Sequence, residues 1–365
     1  MLTALLAAAA IAVVPDAAIQ HYALEGAPFG IVPSADGRHL FVTTADGEKG
    51  LAAYGVGDDG LTRTGFVALD GLPADFGLSP DQTLAVVASG EHVYFIDTAK
   101  LLAGGRDAVL GRMDLSSASI NAKVSPDGRF AFVAEEHDAV VTVVDLDKAK
   151  ASHFAQSSIV GRATVGIAPI AIVFSKDGQW IYVSVQRALE SFGWPSECHG
   201  ETGGDRTYAQ GAVVALKADI AVRDPAHATR GIAAAGCNPV RLTLSEDGLT
   251  AYVTARGSGA LTAIDTALLP GHVVRKPTAA SPVGPSPVGI ARDGRRLFVA
   301  LSNRFDQGDG KSSVMIMDAR DLSVAGRVPA GIFPREVAVT PDHRWLFIGN
   351  FGSNDLEQVD LKVLP

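Results

Sequence analysis

Short apolar runs rich in Val, Ile, Phe and Ala alternate along the chain with polar turn phrases, as in INAKVSPDGRFAFVA followed by VVTVVDL. Alternation of this kind, bounded by Ser, Pro, Asp and Gly, predicts β-strands joined by tight turns, and no helical period intervenes. The turn phrase recurs around Asp36 in SADG, Asp81 in SPDQ, Asp127 in SPDG, Asp177 in SKDG, Asp247 in SEDG, Asp293 in ARDG and Asp342 in TPDH. Its copies lie about 45–50 residues apart, except for about 70 between Asp177 and Asp247, which is the period of propeller blades rather than of helical repeats. Pro supplies the fixed φ of the turn, Asp and Ser bond nearby backbone, and Gly accepts the left-handed conformation. Gln82 and His343 stand where other copies have Gly, at a cost of about 1 kcal/mol each if the backbone stays left-handed. The phrase is therefore scaffold.

The long interval comes from an insertion in the fourth copy, residues 187–210, and a smaller one occupies 303–313 in the sixth. The seventh copy stops after its third strand, LEQVDLKVLP, whereas AAIQHYALEG near the start has no partner of its own. Pairing of that N-terminal strand with the last blade would close the ring and remove open sheet edges. The expected fold is all-β, a single seven-bladed β-propeller of four-stranded blades over residues 17–365.

Composition sets the class. With 365 residues, 47% hydrophobic and 19% charged, the chain reads as a soluble globular protein, expected to be a monomer with no integral membrane segment in its mature form. A net charge of −9 repels phosphate backbones, so no nucleic-acid partner is expected. Leu2 to Val14 is an uninterrupted apolar run with the length of a secretory signal core, too short to span a bilayer. No Lys or Arg precedes it, and Ala10-Ile11-Ala12 is the best small-residue cleavage pattern. Residues 1–16 are read as a signal peptide or a disordered N-terminus. The first places the protein in the periplasm or outside the cell, and the second in the cytoplasm.

The phrase FPREVAVTPDHRWLFIGNFGSNDLEQVDL resembles the YVTN-type β-propeller repeat, which overlaps the seven-bladed lactonase-like superfamily, and the resemblance extends over nearly the whole chain from Ala17. It implies a propeller in which the loops before the first strand and after the second strand of each blade gather at one mouth of the central channel. Both insertions should rise from that face. Such propellers include lactone hydrolases, lyases, subunits of amine dehydrogenases and surface-exposed binding proteins, so the resemblance implies a fold more than an activity.

Innermost-strand positions counted back from each turn aspartate are Gly30, Asp75, Asn121, Ala171, Arg241, Gly289 and Glu336, and second-strand ends supply Glu135, Glu136, Gln186, Arg256, Asn303, Arg304 and Asn350, with Arg335 beside Glu336. Asp75, Asn121, Arg241, Arg256, Asn303, Arg304, Arg335 and Asn350 are the candidate ligand-binding set. Their arginines would present planar donors to a carboxylate, phosphate or lactone, and Glu336, Glu135, Glu136 and Arg241 are the catalytic candidates. The bland alternative is that these charges neutralise one another across a wet channel. No spacing demonstrates a metal site and no cofactor is expected, although Glu and Asn oxygens at a channel mouth are ligands that Ca²⁺ or a similar divalent ion takes, as in gluconolactonase-like propellers. Glu197, His199, Glu201 and Asp205 lie in a Gly-rich loop and read as solvated surface.

Several motifs fail. GDGKS at 308–312 follows a strand and has Phe305 where a phosphate loop needs Gly, no GxSxG is present, and DQGDGKSS lacks the spacing of an EF-hand. The His-rich and Arg-His phrases of a phosphogluconolactonase-like enzyme are also missing. Cys198 and Cys237 are the only cysteines, read as a disulfide, with two buried thiols or a reactive Cys198 beside His199 as alternatives. The functional expectation is an exported propeller that binds a small anionic or polar ligand, or a protein partner, at its loop-rich mouth. The alternative is a lactonase-like hydrolase.

Overall fold

The computed structural model describes residues 11–192, 197–199, 207–303 and 312–365. The chain forms a β-propeller, with α-helix among the described residues confined to short turns such as Thr98–Leu102 and Leu146–Ala151. The innermost strands are Gly26–Pro33, Pro73–Leu78, the second half of Val109–Val124, Ile167–Phe174, Pro239–Leu244, Pro287–Asp293 and Pro334–Val339. Each packs against the next, and Pro334–Val339 packs against Gly26–Pro33.

Seven separate four-stranded blades are expected from the repeats, but the described chain forms six hydrogen-bonded sheets. The second and third repeats share one six-stranded sheet, because Val109–Val124 runs from one into the other without a break. Its first half pairs with Leu84–Asp97 and its second half with Phe130–Glu135. Ser119 sits at the junction, paired with Gly90 on one side and Glu135 on the other. The remaining sheets have a four-stranded body, and two of them carry an added parallel strand at the outer edge: Ala12–Val13 beside Gly326–Arg327, and Val273–Val274 beside Ile232–Ala233. Val14 is buried with the core of the last two repeats, so the docked chain begins before Ala17, where the repeats alone put the propeller's start.

The N-terminal strand Ile19–Ala23 runs antiparallel to Asp355–Val359 as the outer strand of the last sheet, in the place expected for it. The chain's two ends are thereby joined by a sheet ladder.

Local chemistry explains the turn phrases. Ser34, Ser79, Ser125, Ser175, Ser245 and Thr340 each donate a hydroxyl hydrogen bond to the turn aspartate two residues on. The sixth copy has Ala291 at that position, and Asp293 is held instead by Arg296 and by His343 of the next copy. Gln82 and His343 do adopt left-handed φ of 62° and 58°. Both use their side chains to reach the preceding repeat, Gln82 accepting from the Ala35 amide at 2.9 Å and His343 meeting Asp293 at 2.7 Å, which offsets part of the backbone cost. The aspartates that close the third strands also have a structural role: Asp97, Asp145, Asp265 and Asp360 cap the helical turns that follow.

Between the sheets lie the side chains of one strand face, with Phe76, Phe95, Phe132, Phe298 and Phe347 fully buried. Each such ring removed from water stabilises the fold by roughly 2–3 kcal/mol. Hydroxyls on second strands fasten neighbouring repeats, since Thr43, Ser184 and Thr254 donate to the carbonyls of Ala74, Val240 and Val288 on the next innermost strand.

Candidate functional site

Register shifts in the innermost strands break the usual alternation there, and two consecutive positions form two layers about the channel. One layer contains Gly30, Asp75, Asn121, Ala171, Arg241, Gly289 and Glu336, the positions read from the repeats. Three of these have little or no side chain, and the space is used by their neighbours. A Cβ at Gly30 would lie 3.1 Å from Asp75 Oδ1, and one at Gly289 would lie 3.0 Å from Glu336 Cα. The four polar residues cross-link the channel. Arg241 Nε donates to Glu336 Oε2 at 2.8 Å and its Nη2 lies 3.7 Å from Asp75 Oδ2, while Asn121 Nδ2 donates to Asp75. Lys123, not singled out in the sequence, donates to Asp75 Oδ1 at 3.4 Å and to the Phe76 carbonyl at 2.6 Å.

The charges of this belt settle one another. Burial pushes the Asp75 carboxyl up, but Lys123 and Arg241 outweigh it and hold the group below the usual carboxylate range. Glu336 moves the other way, because burial and the nearby Asp75 charge together exceed the pull of Arg241. Arg241, although buried, is kept charged by both carboxylates. Asp75, Asn121, Arg241 and Glu336 are thus brought together and bonded to one another, the arrangement of the alternative in which these charges neutralise one another across the channel.

Directly above, toward the mouth, the preceding residue of six innermost strands changes the chemistry. Phe29, Ile120, Ile170, Val240, Val288 and Arg335 line a cavity of about 330 Å³. Its wall is completed by Leu72, Phe333, Phe351, Glu136, Gln186 and Arg256. The guanidinium carbon of Arg335 sits 3.6 Å from the ring centre of Phe29, with the Phe351 and Phe333 rings at 5.7 and 5.9 Å. This stacking fixes the plane of the guanidinium at the cavity wall. Arg256 is placed by Asn238, whose amide, oriented to satisfy both neighbours, accepts from Arg256 Nη2 at 2.8 Å and donates to Gln186 Oε1 at 3.0 Å.

Asn238 follows Cys237, and Cys237 is disulfide-bonded to Cys198 with a Cα–Cα distance of 5.8 Å. Cys198 lies in the short strand Glu197–His199, which pairs with Thr207–Ala209, so the bridge ties the fourth-copy insertion to the residue beside Asn238. Gly257 N donates to the Cys237 carbonyl at 2.9 Å and Arg256 N to the Asn238 carbonyl at 3.2 Å, which carries the anchoring into the cavity wall.

The other sequence candidates sit elsewhere. Glu135 is fully buried and turned away from the channel. It accepts from the Ser116 and Ser117 amides at 2.9 and 3.0 Å and from the Ser116 and Thr142 hydroxyls, with Arg162 at 3.6 Å. Asn350 occupies the equivalent place in the last sheet and donates to Asp355 Oδ2 at 2.9 Å and Glu357 Oε1 at 2.8 Å. Glu357 also accepts from the Gly331 amide at 2.8 Å and has His21 of the N-terminal strand at 3.8 Å. Burial pushes the Glu357 carboxyl up to about 7, against the hydrogen bonds from Asn350 and Gly331. Asn303 follows the second strand of the sixth repeat in left-handed conformation, outside the set lining the cavity. Arg304 lies outside the described residues, as do Glu201, Asp205 and the Trp194-Pro195 segment of the insertion.

Comparison with known families gives no match, nor does comparison with curated proteins. Among solved structures the chain is similar to Kuenenia stuttgartiensis hydrazine synthase, with a TM-score of 0.69 and 20% identity over 93% of this chain and 97% of that one. At that identity the likeness shows the β-propeller fold alone. The described residues include no helix long and apolar enough to cross a membrane. The disulfide is a feature of oxidising compartments.

Proposed function

We propose that the protein is an exported, YVTN-like propeller, its seven repeats acting as seven ring units, that binds a small organic anion in the mouth cavity through Arg256 and Arg335. The observation that carries this reading is the pairing of two arginines with an otherwise largely apolar and aromatic wall in a cavity of about 330 Å³, within the range of small-molecule sites. Arg335, stacked on Phe29, brings a planar, oriented guanidinium to the cavity wall, and that group suits a carboxylate or phosphate. The apolar wall suits a hydrocarbon or aromatic body. The disulfide and the apolar N-terminal run support an extracytoplasmic setting.

A second reading, a lactone hydrolase, draws on Glu336, whose carboxyl is pushed up in the layer directly beneath Arg335. The engagement of Glu336 by Arg241 favours binding over turnover. One screen separates them. Carboxylates, phosphates and lactones are tested by thermal shift and calorimetry, with lactone ring opening followed in parallel. Anion binding weakened about tenfold or more by Arg335→Ala supports the site, since a hydrogen bond to a charged group is worth about 1.5–3 kcal/mol. Affinity untouched by that change rejects it. Lactone turnover lost in Glu336→Gln would establish the hydrolase instead.

A further inference from the structure

The seam that closes the ring carries a second polar cluster, remote in function from the mouth. One ligand atom from each of His21, Asp355 and Glu357 lies within 4.8 Å of the other two. His21 comes from the N-terminal strand, and the two carboxylates from the third strand of the last repeat. Glu357 is 1% exposed, and its Oε2 makes no hydrogen bond. Asn350, which bonds both carboxylates through Nδ2, is fully buried and its Oδ1 is also without a partner. Among the described residues, His21 is the only basic group in ion-pair range of Glu357. The cluster therefore gathers acceptors with too few donors, and a carboxylate oxygen left unpaired in the interior is costly.

We propose that His21, Asp355 and Glu357 bind a divalent transition cation that fastens the N-terminal strand to the last sheet of the ring. One imidazole nitrogen with two carboxylate oxygens is a Zn²⁺-type donor set, whereas Ca²⁺ and Mg²⁺ are held by oxygen alone. His21 Nδ1 faces Glu357 Oε1 at 3.8 Å, and its other nitrogen, Nε2, faces Asp16 Oδ1 at 3.6 Å. A carboxylate on the far nitrogen is the usual way of orienting a metal-bound histidine. The His21 side chain is 48% exposed, so it can close the remaining gap to metal-ligand distance without disturbing the core. Binding at this place would tie the two ends of the chain together.

The full-length chain, stripped with chelator, is titrated with Zn²⁺ by calorimetry, and its melting temperature is followed in parallel. One equivalent should bind and raise the melting temperature by mass action. His21→Ala should abolish both effects, and Asp16→Ala should weaken affinity about tenfold. His92→Ala, which removes a histidine paired with Asp114 on another sheet, should change neither. Glu357→Gln should behave as His21→Ala. If that buried change prevents folding, the half-exposed His21→Ala decides alone. Failure to bind Zn²⁺, or a shift that survives His21→Ala, overturns the proposal.

Discussion

Asp75 and Glu336 in the channel and Glu357 at the ring seam are all removed from water, yet their surroundings answer burial differently. The channel carboxylates meet Arg241 and Lys123, two cations delivered by other innermost strands of the same ring. Glu357 meets an amide, a backbone N–H and a half-exposed histidine. Asp75 is accordingly held below the usual carboxylate range, whereas Glu357 is pushed up to about 7. Countercharge separates Asp75 from Glu357, whereas Glu336, which shares Arg241 with Asp75, is pushed up by burial despite that partner. The channel belt is neutralised from within and braces the ring, while among the described residues the seam has only His21 in ion-pair range of Glu357.

The largest effect should come from taking the shared cation out of the belt. Arg241→Ala leaves Asp75 and Glu336 buried in one channel with a single lysine nearby, and should cost about 3–5 kcal/mol in urea unfolding at neutral pH. Replacing Arg241 and Glu336 together by Met should restore much of that loss, because an apolar pair avoids the uncompensated charge. A loss below about 1 kcal/mol in the single variant, the range of a solvent-exposed pair, would mean that the belt is solvated and the contrast with the seam is false.

At the seam the sign reverses. The folded-state pKa of Glu357 is raised, so its contribution is fully favourable below the unfolded value and is lost as pH rises through about 7. A tenfold change in proton affinity is worth about 1.4 kcal/mol, so ionising Glu357 in the folded chain costs about 3 kcal/mol more than in water. In chelated protein, Glu357→Gln should be more stable than the parent at about pH 8 and closely matched to it at about pH 5, on either side of the Glu357 transition. An equal difference at both pH values would show that the carboxyl does not titrate there.

A smaller effect belongs to the acid limb. Asp75 has a lowered pKa, so its stabilisation is present above the unfolded value of about 3.9 and disappears as pH falls through the folded one. Asp75→Asn should flatten the loss of stability in that window, and Glu357→Gln should not. Parallel acid limbs in the two variants would erase the distinction between the two regions.

The turns and the ring closure were legible because each is local or periodic: Ser-x-Asp-Gly phrases fold by contacts two residues apart, and the missing last strand has its counterpart in AAIQHYALEG. The belt was legible by counting along equivalent strands. What counting could not resolve was the side-chain direction at second-strand ends. Glu136, Gln186, Arg256 and Phe351 line the cavity, and each sits one position beyond Glu135, Val185, Ala255 and Asn350, which do not. Successive residues of a strand point to opposite sides, and the register shift at Ala134/Glu135 shows that the pairing itself is irregular there. The Phe29, Phe333 and Phe351 cluster around Arg335 draws on the first and last repeats, so no short stretch of sequence displays it. The polar cluster on the seam joins side chains from opposite ends of the chain and was invisible for the same reason. The merging of two repeats into one sheet depends on continuous pairing through Ser119, which the repeat period does not encode.

Because the belt consumes Arg241 internally, the proposed anion site rests on Arg256 and Arg335, which line the cavity above it. The direct test is a high-resolution crystal structure of the protein with the tightest anion from the screen. The acidic group should lie within about 3 Å of both Arg256 and Arg335, its body against Phe333 and Phe351, with Arg241 still bonded to Glu336. A ligand found on the opposite, turn-bearing face near Lys176, Arg292 and Arg320, with the mouth cavity unfilled, would contradict binding at the mouth.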